Sequence, residues 1–523
     1  MQFSSKQRLS ILILCTMMPI VAKGANRPNL VVILADDFGV GDIQAHFPNN
    51  KIKTPWLDRM VNQGLSFTDA HSPSSVCTPT RYGLLTGRYS WRTRLQEWVL
   101  GCYEPPLIAS NQLTLPALLG SVGYQTACIG KWHLGWNWPG SQASQMLEPR
   151  NALARLSWDY SKPIQEGPTQ RGFDYYFGTH VPNFPPFTFI ENDRVVTLPT
   201  ARYLFKPGQG VVMPKSFSGL PMAPGWRFDR ILPEITKRAV RYIHEQATRD
   251  RPFFLFFSMT SPHEPVVPSR EFSGKSGIAP IADFVMETDW SAGQIIKAVE
   301  DAGVAENTLI MFTSDNGHSH YTGWDQLIDA GHFPSGPFRG HKGDIWEGGH
   351  RVPLIVSWPG KVNAGQSSDV LLCLNDIFAT FTEIVGAPLP DNAAVDSFSF
   401  LPALVGNQVS PLREHVVSHS VYGEFAYREG PWKVVYKRAS RDLDNARGKP
   451  VQVELYRLDV DPAETNNLAK QERRRVTDLG KGLETIIQRG RSRPGLPQSN
   501  DTRVRFDVIQ SQRWTASLSD SED

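Results

Sequence analysis

A cysteine and an arginine stand one helical turn apart in the segment Ser74–Arg81, which reads SSVCTPTR. Thr78 is a suitable N-cap and Pro79 a suitable first helical residue, so Cys77 is expected at the positive end of a helix, where an oxyanion binds favourably. Arg81 lies on the same face, and its planar fork of donors suits a tetrahedral oxyanion. The segment therefore predicts oxyanion chemistry around Cys77.

Two other interpretations of this segment remain open at this point. Cys77 is also conceivable as a plain thiolate nucleophile, but the Cys-x5-Arg spacing of thiol phosphatases would need an arginine where this chain has Gly83. A buried structural cysteine at the start of a helix explains the pentapeptide equally well. Further residues are needed to separate these interpretations.

Four short apolar runs predict strands that are buried on both faces of a parallel sheet, and each is followed by polar residues. The runs are Asn29–Ala35, Gln125–Ile129, Pro252–Ser258 and Thr308–Ser314. The residues at or just beyond their carboxyl ends are Asp36 and Asp37, Lys131 and His133, His263, and Asp315 and Asn316. Each of these has an ordinary structural explanation when taken singly. Ligands of open parallel sheets bind at this edge, so their shared placement predicts one common site.

The acidic members of this set indicate a metal site. Asp36, Asp37, Asp315 and Asn316 offer only hard oxygen ligands, and three of them are anionic. This chemistry favours Ca²⁺, and after it Mg²⁺, over Zn²⁺, because no thiolate or imidazole cluster accompanies them.

Together these residues resemble the type I sulfatases, in which the motif cysteine is oxidised after translation to formylglycine. The resemblance rests on Cys77-Thr78-Pro79-Thr80-Arg81 with Leu85-Thr86-Gly87-Arg88, on Gly130-Lys131-Trp132-His133, on Ser261-Pro262-His263, on Gly340-His341-Lys342 with Glu347-Gly348-Gly349, and on Asp461-Pro462 with Asn467-Leu468. The commonest family motif has serine where Thr80 stands. The resemblance covers nearly the whole mature chain and is closest to the arylsulfatase A and N-acetylgalactosamine-6-sulfatase type.

The resemblance implies the fold and the cofactors. The expected fold is an alkaline-phosphatase-like α/β/α sandwich with a mostly parallel central sheet, and the sequence adds a smaller C-terminal antiparallel sheet. One divalent cation, generally Ca²⁺, is expected at Asp36, Asp37, Asp315 and Asn316, in contact with formylglycine made from Cys77. A formylglycine-generating enzyme or an anaerobic sulfatase-maturating enzyme is the implied partner.

The expected mechanism assigns each residue a role. One hydroxyl of the hydrated Cys77 aldehyde, polarised by the metal and deprotonated with help from Asp315, attacks sulfur. The cations that gather the sulfate oxygens are Arg81, Lys131 and Lys342. By family resemblance His263, together with Lys342, protonates the leaving oxygen, and His133 takes the proton of the second hydroxyl so that the aldehyde re-forms and sulfate leaves.

Composition and patterning bound the remaining questions. The 523 residues carry a formal net charge of +2, which lacks the basic excess of a nucleic-acid-binding protein. Residues 1–24 resemble a signal peptide whose apolar segment, Ile11–Val21, is too short to span a membrane, so we expect an exported protein, periplasmic or secreted. The predicted domains are a catalytic domain over 25–412, a C-terminal subdomain over 413–490, and a partly disordered tail over 491–523.

The substrate is expected to be a sulfated carbohydrate, such as a polysaccharide or glycosaminoglycan fragment. Residues that could line a sugar-binding cleft, or else only anchor loops, are Trp132, Trp136, Trp138, His180, Asn183, Phe184 and Phe187. His318 and His320 are further candidates for recognising the leaving group. Two alternative functions remain: a phosphatase or phosphodiesterase of the same fold, which would need a Ser or Thr nucleophile, and a sulfated-glycan-binding protein without catalysis.

Replacing Cys77 by serine tests the proposed chemistry of this position. A serine hydroxyl can attack sulfur but offers no second hydroxyl to expel sulfate, so Cys77→Ser is expected to stop after one turnover with sulfate bound to the enzyme. Mass spectrometry of the intact variant after incubation with substrate measures this adduct. Steady multiple turnover by the variant would contradict the assignment.

Overall fold

The structure is a computed structural model that describes residues 27–139, 158–205, 218–407, 411–438 and 451–506. The predicted signal peptide and the acidic end of the chain after residue 506 lie outside the described residues. No helix in the described ranges is long and apolar enough to cross a bilayer.

Strands supply the framework of the molecule. They are β1 (Asn29–Asp36), β2 (Leu65–Phe67), β3 (Ala70–His71), β4 (Gln125–Lys131), β5 (Tyr175–Thr179), β6 (Ile190–Glu191), β7 (Arg194–Val195), β8 (Ala201–Arg202), β9 (Pro221–Met222), β10 (Phe253–Pro262), β11 (Thr308–Ser314), β12 (Leu354–Ser357), β13 (Gln366–Ser368), β14 (Leu372–Cys373), β15 (His415–His419), β16 (Phe425–Glu429), β17 (Trp432–Lys437) and β18 (Gln452–Arg457).

Helices cover the sheet. Within the described residues the α-helices are α1 (Pro55–Gln63), α2 (Cys77–Thr86), α3 (Leu115–Ser121), α4 (Ile231–Ala247), α5 (Pro280–Asp301), α6 (Trp324–Asp329), α7 (Glu347–His350), α8 (Asp376–Ile384), α9 (Leu401–Leu404) and α10 (Arg473–Arg489).

Ten strands form the central sheet, in the order β13-β2-β12-β11-β1-β10-β4-β5-β6-β7. The five strands from β11 to β5 in this order are parallel to their neighbours, and antiparallel pairing begins at β12 on one side and at β6 on the other. All four strands predicted from the apolar runs belong to this parallel centre. The expected mostly parallel sheet is therefore confirmed.

The alternation of side chains along β1 builds a three-layered core. Residues 30, 32 and 34 pack in one buried cluster with α2, α3 and α8, whereas residues 31, 33 and 35 pack in a second cluster with α4 and α5. Successive side chains of a strand point to opposite faces, so a strand covered on both sides reads as one continuous apolar run. This arrangement is the expected α/β/α sandwich.

The second sheet is antiparallel, in the order β15-β16-β17-β18, as predicted for the C-terminal subdomain. Its buried cluster includes residues of α10 and also Tyr89 and Trp91, which follow α2 in the catalytic part. The predicted tail also contributes: Arg491 pairs with Asp391, and Phe506 is buried in the same cluster. Residues 491–506 thus pack against the rest of the protein.

A buried ion-pair network joins the C-terminal sheet to α7, the helix that follows the loop carrying Lys342. Lys433 of β17 donates to Glu347 at 2.9 Å and lies 2.8 Å from Glu464, and all three side chains are at most 1% exposed. Glu347 starts α7 and also accepts from Arg351 at 2.9 Å. Burying charges is costly unless each one is paired, so the network fixes the position of α7 against the C-terminal sheet.

Replacement of Lys433 by methionine would leave the carboxylates of Glu347 and Glu464 buried with one cation fewer. We expect the free energy of unfolding to fall by about 3–5 kcal/mol. Urea-induced unfolding followed by tryptophan fluorescence measures the change. The control Lys470→Met, at an exposed position, is expected to shift stability by less than about 0.5 kcal/mol; equal midpoints for both variants would contradict the importance of the network.

Candidate active site

Cys77 is the first residue of α2, and its side chain is 2% exposed. The helix is preceded by Val76 in an extended conformation, so the N-cap predicted at Thr78 is wrong. The Thr78 hydroxyl instead accepts a hydrogen bond from the backbone of Leu100 at 3.3 Å. The correction moves the helix start by two residues toward the N-terminus, and Cys77 remains at the positive end of the helix as expected.

Three carboxylates converge next to Cys77. Oxygen atoms of Asp36, Asp37 and Asp315 lie within 4.8 Å of one another, although the strands that carry them are far apart in sequence. Register explains the meeting, because Ala35 of β1 pairs with Ser314 of β11. The polar residues that follow two neighbouring parallel strands therefore emerge side by side.

The fourth predicted metal ligand, Asn316, belongs to the same cluster. Its amide nitrogen donates to Asp37 at 2.7 Å, and its amide oxygen is buried with no hydrogen-bond partner among the described residues. Leaving a buried acceptor unsatisfied is costly. Three carboxylates and this amide oxygen fit a hard divalent cation, whose preferred ligands are oxygens.

Two lysines lie against the carboxylates. Lys131 Nζ donates to both oxygens of Asp36, at 2.9 and 2.7 Å, and Lys342 Nζ donates to Asp37 at 2.7 Å. Burial alone would raise the pKa of Asp36, but Lys131 and other nearby cations hold it below its ordinary value. Burial would lower the pKa of Lys342, yet Asp37 keeps it well above the usual value, so Lys342 is charged.

Asp315 is the one of these three carboxylates whose pKa is raised. Burial and the charge of Asp36 raise its pKa to about 7, against the opposing effect of Arg81. Like charges that share a buried site resist simultaneous ionisation, and a cation among them removes this resistance. The raised pKa is therefore a second feature that fits a metal site.

Arg81 is fully buried and its guanidinium is directed at Asp315. Its Nε and Nη2 atoms donate to one oxygen of Asp315 at 3.0 and 2.8 Å, while Nη1 donates to Ser258 and to the backbone oxygen of Lys131. The sequence suggested a contact between Arg81 and a bound oxyanion. In the structure the guanidinium donates to Asp315, and the contact with an oxyanion stays a prediction.

The two histidines of the predicted site are neutral. The His133 Nε2 atom lies 3.0 Å from the backbone oxygen of Leu100, which fixes the proton on Nε2 and leaves Nδ1 buried without a partner among the described residues. Burial and the neighbouring Lys131 hold the pKa of His133 well below its ordinary value. Burial and Lys342 lower that of His263 to about 4, and its Nε2 lies 4.0 Å from Asp37.

Several of the predicted site residues border one cavity of about 260 Å³. Cys77, His133, His263 and Lys342 contribute to its wall, so four of the six predicted catalytic residues line it. Burial also raises the pKa of the Cys77 thiol, although Lys131 opposes the shift. An unmodified Cys77 is therefore a thiol, which is a weak nucleophile, and this disfavours the thiolate interpretation.

Most of the aromatic residues proposed for a sugar cleft are core residues. Trp132, Trp136 and Trp138 are at most 2% exposed and pack in the buried cluster on one face of the sheet. Asn183 and Phe184 do line the cavity. The loop-anchoring interpretation thus holds for the three tryptophans.

His318 and His320 have different environments in the structure. His318 Nδ1 donates to Asp42 at 2.9 Å in a buried network. His320 lines the cavity and stacks on His341 with ring centroids 4.2 Å apart.

Sequence reasoning gave no role to several residues of the cavity wall. They are Val76, Trp98, Val99, Val181, Glu264, Tyr321, Gly343, Asp344, Val421 and Tyr422. Glu264 directly follows His263 in the Ser-Pro-His motif, so its position was the one available signal. Trp98 and Tyr422 meet only through tertiary packing, with ring centroids 5.8 Å apart.

Comparison with known proteins shows which families and relatives this chain matches. Residues 28–387 match the family described as Sulfatase, and residues 341–491 match the family described as N-sulphoglucosamine sulphohydrolase, C-terminal. The chain is 32% identical to N-acetylgalactosamine-6-O-sulfatase of Bacteroides thetaiotaomicron over 504 residues, covering 89% of this chain and 94% of that protein. It is 31% identical to human arylsulfatase A over 468 residues, with 85% and 84% covered.

A solved structure supports the same class. It comes from work on the metabolism of multiple glycosaminoglycans by Bacteroides thetaiotaomicron, and it matches with a TM-score of 0.77 and 29% identity. The match covers 88% of this chain and 99% of that one.

The cluster of acidic oxygens predicts stabilisation by a divalent cation. Added Ca²⁺ at one hundred times its dissociation constant should stabilise the folded protein by about 2.7 kcal/mol, because it binds the folded site and relieves repulsion between the carboxylates. Melting temperatures with and without Ca²⁺ measure the effect. Asp37→Asn should reduce the Ca²⁺-dependent shift in melting temperature, and the exposed control Asp329→Asn should not. A wild-type melting temperature that does not change with millimolar Ca²⁺ or Mg²⁺ would contradict a cation site.

Proposed function

This chain belongs to the sulfatase family, whose members hydrolyse sulfate esters, and on that basis we propose that it removes sulfate from sulfated carbohydrates with formylglycine derived from Cys77 and one Ca²⁺. The single observation that carries the proposal is the placement of Cys77. It stands at the start of α2, in one cavity with Lys342, His133 and His263 and beside a cluster of three carboxylates.

The proposed substrate is a sulfated sugar of a glycosaminoglycan or another polysaccharide. The bacterial relative and a mouse relative, which is 28% identical over 94% of this chain, are both named for N-acetylgalactosamine 6-sulfate hydrolysis. The solved relative from Bacteroides thetaiotaomicron is described under glycosaminoglycan metabolism. These names support N-acetylgalactosamine 6-sulfate as the first substrate to test.

Modification of Cys77 is proposed because the unmodified side chain is poorly suited to attack. Its thiol is buried and its pKa is raised, so little thiolate is available. Conversion to an aldehyde by a formylglycine-generating enzyme, or by an anaerobic sulfatase-maturating enzyme, would supply hydroxyl groups at the same point after hydration. In this structure the Cys77 sulfur atom occupies the place of that oxygen.

Ca²⁺ is the proposed metal because its ligands would be Asp36, Asp37, Asp315 and the amide oxygen of Asn316, with the modified residue 77 next to them. When bound, the cation supplies positive charge that polarises the sulfate group and the attacking oxygen. Arg81 holds Asp315 in position for this site, so we assign Arg81 a positioning role.

Lys131 and Lys342 are the proposed sulfate-binding cations. An ammonium group has three donors, and Lys342 uses one of them for Asp37, which leaves donors for sulfate oxygens. A sulfate monoester surrounds its sulfur with oxygens that repel a nucleophile, so positive groups fixed around it lower the barrier to attack.

His133 and His263 are the proposed proton-transfer groups. With its proton fixed on Nε2, His133 presents an unprotonated Nδ1 that can accept a proton from residue 77. His263 lines the same cavity, and Lys342, whose pKa is raised, is the proposed source of the proton that these two residues deliver to the leaving sugar oxygen. Residues 1–24 support export to the periplasm or the exterior before the enzyme acts.

Release of inorganic sulfate tests this function. Protein produced together with a formylglycine-generating enzyme is expected to release sulfate from N-acetylgalactosamine 6-sulfate or chondroitin sulfate oligosaccharides, measured by ion chromatography. Cys77→Ala should lower the rate at least about a hundredfold, since it removes the nucleophile. Peptide mass spectrometry should find an aldehyde at position 77 of the active protein.

Two results would contradict the proposal. Faster release of phosphate from sugar phosphates would favour the phosphatase alternative. Tight binding of sulfated oligosaccharides without any sulfate release, by protein that retains the Cys77 thiol, would favour the non-catalytic glycan-binding alternative.

A further inference from the structure

Asn183 and Glu264 form a polar pair on one side of the cavity, outside the group of residues that handles sulfate. The amide nitrogen of Asn183 donates to Glu264 at 2.8 Å. This bond turns the amide so that its oxygen faces away from Glu264. That oxygen is buried and has no hydrogen-bond partner among the described residues, and Asn183 as a whole is only 5% exposed.

The pair is therefore rich in acceptors and short of donors. Glu264 is only partly exposed, and burial raises the pKa of its carboxyl group, although Lys342 opposes the shift. A desolvated carboxylate and an unpartnered amide oxygen both gain free energy when a ligand brings O–H or N–H groups to them. The cavity wall thus offers acceptors where a ligand with donors would fit.

The proposed nucleophile fixes which part of a ligand lies where. Cys77 is 2% exposed and the Lys342 side chain 9% exposed, whereas Trp98 is 44% exposed. With residue 77 as the proposed nucleophile, the sulfate end of a ligand would lie beside Cys77 and Lys342. Glu264 directly follows His263, so it is held beside the group proposed to meet the leaving oxygen.

We infer that Asn183 and Glu264 recognise free hydroxyl or amide N–H groups on the sugar that carries the sulfate, and that they exclude sugars with a second anionic group next to the ester. The inference rests on the proposed function and specifies its substrate: a singly sulfated sugar with an unmodified neighbouring hydroxyl.

The lysines that would bind the sulfate are positive and the nearby Glu264 carboxylate is negative, and this arrangement explains the selectivity for a singly sulfated sugar. The end of the cavity beside Cys77 and Lys342 binds the ester sulfate, but a second sulfate on a nearby hydroxyl of the same sugar, such as O4 of a 6-sulfated sugar, would lie against the Glu264 carboxylate and the Asn183 amide oxygen, both of which repel it. Specificity arises in this way from an unfavourable contact with the wrong ligand as well as a favourable contact with the right one.

The two residues act on the sugar, so their effect should depend on the leaving group. The variant Glu264→Gln keeps the shape of the side chain and removes its charge. We expect it to lower kcat/KM for N-acetylgalactosamine 6-sulfate at least about tenfold more than kcat/KM for para-nitrophenyl sulfate. Hydrogen bonds to a charged acceptor contribute about that much, and the aryl group has no hydroxyl to donate. Asn183→Ala should show the same bias. The exposed control Glu271→Gln should leave both values unchanged.

A doubly sulfated sugar provides the second measurement. The wild-type enzyme should prefer N-acetylgalactosamine 6-sulfate over its 4,6-disulfate, and Glu264→Gln should narrow that preference. Equal losses on sugar and aryl substrates, or an unchanged preference, would mean that the pair is only structural and would overturn the inference while leaving the sulfatase function intact. The inference is also overturned if the wild-type enzyme hydrolyses the aryl ester but neither sugar. A wild-type enzyme that hydrolyses no sulfate ester contradicts the proposed function itself.

Discussion

Repulsion among buried carboxylates is the constraint on which the site depends. Asp36, Asp37 and Asp315 are each at most 1% exposed, and their oxygens lie within 4.8 Å of one another. Such a cluster is unfavourable unless cations surround it, and the protein supplies Lys131, Lys342 and other positive groups for that purpose. The same positive charges then suit an anionic substrate. In the proposed function the same lysines would therefore balance the charge of the carboxylates and bind sulfate.

The parallel sheet makes this arrangement possible, and the C-terminal sheet completes it. Asp36, Lys131 and Asp315 lie at the carboxyl ends of neighbouring strands, whose hydrogen bonds hold them rigidly. Lys342 comes from a loop instead, and α7 at the end of that loop is held by Lys433 of the second sheet. Tyr422, in the turn between β15 and β16, lines the cavity. The C-terminal sheet therefore holds α7 at the end of this loop, and its β15–β16 turn forms part of the cavity wall.

The sequence predicted those features that follow from local pattern. Apolar runs identified the central strands, and the polar residues after them identified the edge at which the carboxylates and lysines meet. The predicted start of α2 was two residues too late, because Thr78 and Pro79 are residue types that suit the N-cap and the first helical position. Trp136 was open to two interpretations, since a tryptophan in a long loop has the same sequence context whether it faces a ligand or the core. The contact of Trp98 with Tyr422 joins distant parts of the chain, and no local pattern predicts it.

Arg81 illustrates how a buried guanidinium fixes the position of a neighbouring carboxylate. Spacing along the helix placed it on the face of Cys77, which was correct, but spacing cannot tell which acceptor a long side chain will choose. Burial and the charge of Asp36 raise the pKa of Asp315, and the Arg81 guanidinium opposes this rise and donates two hydrogen bonds to the carboxylate. A lysine there would offer a point charge without the planar fork and would hold Asp315 less firmly. In the proposed function Arg81 would therefore act by orienting a carboxylate, whereas Lys342 at the cavity wall would contact sulfate.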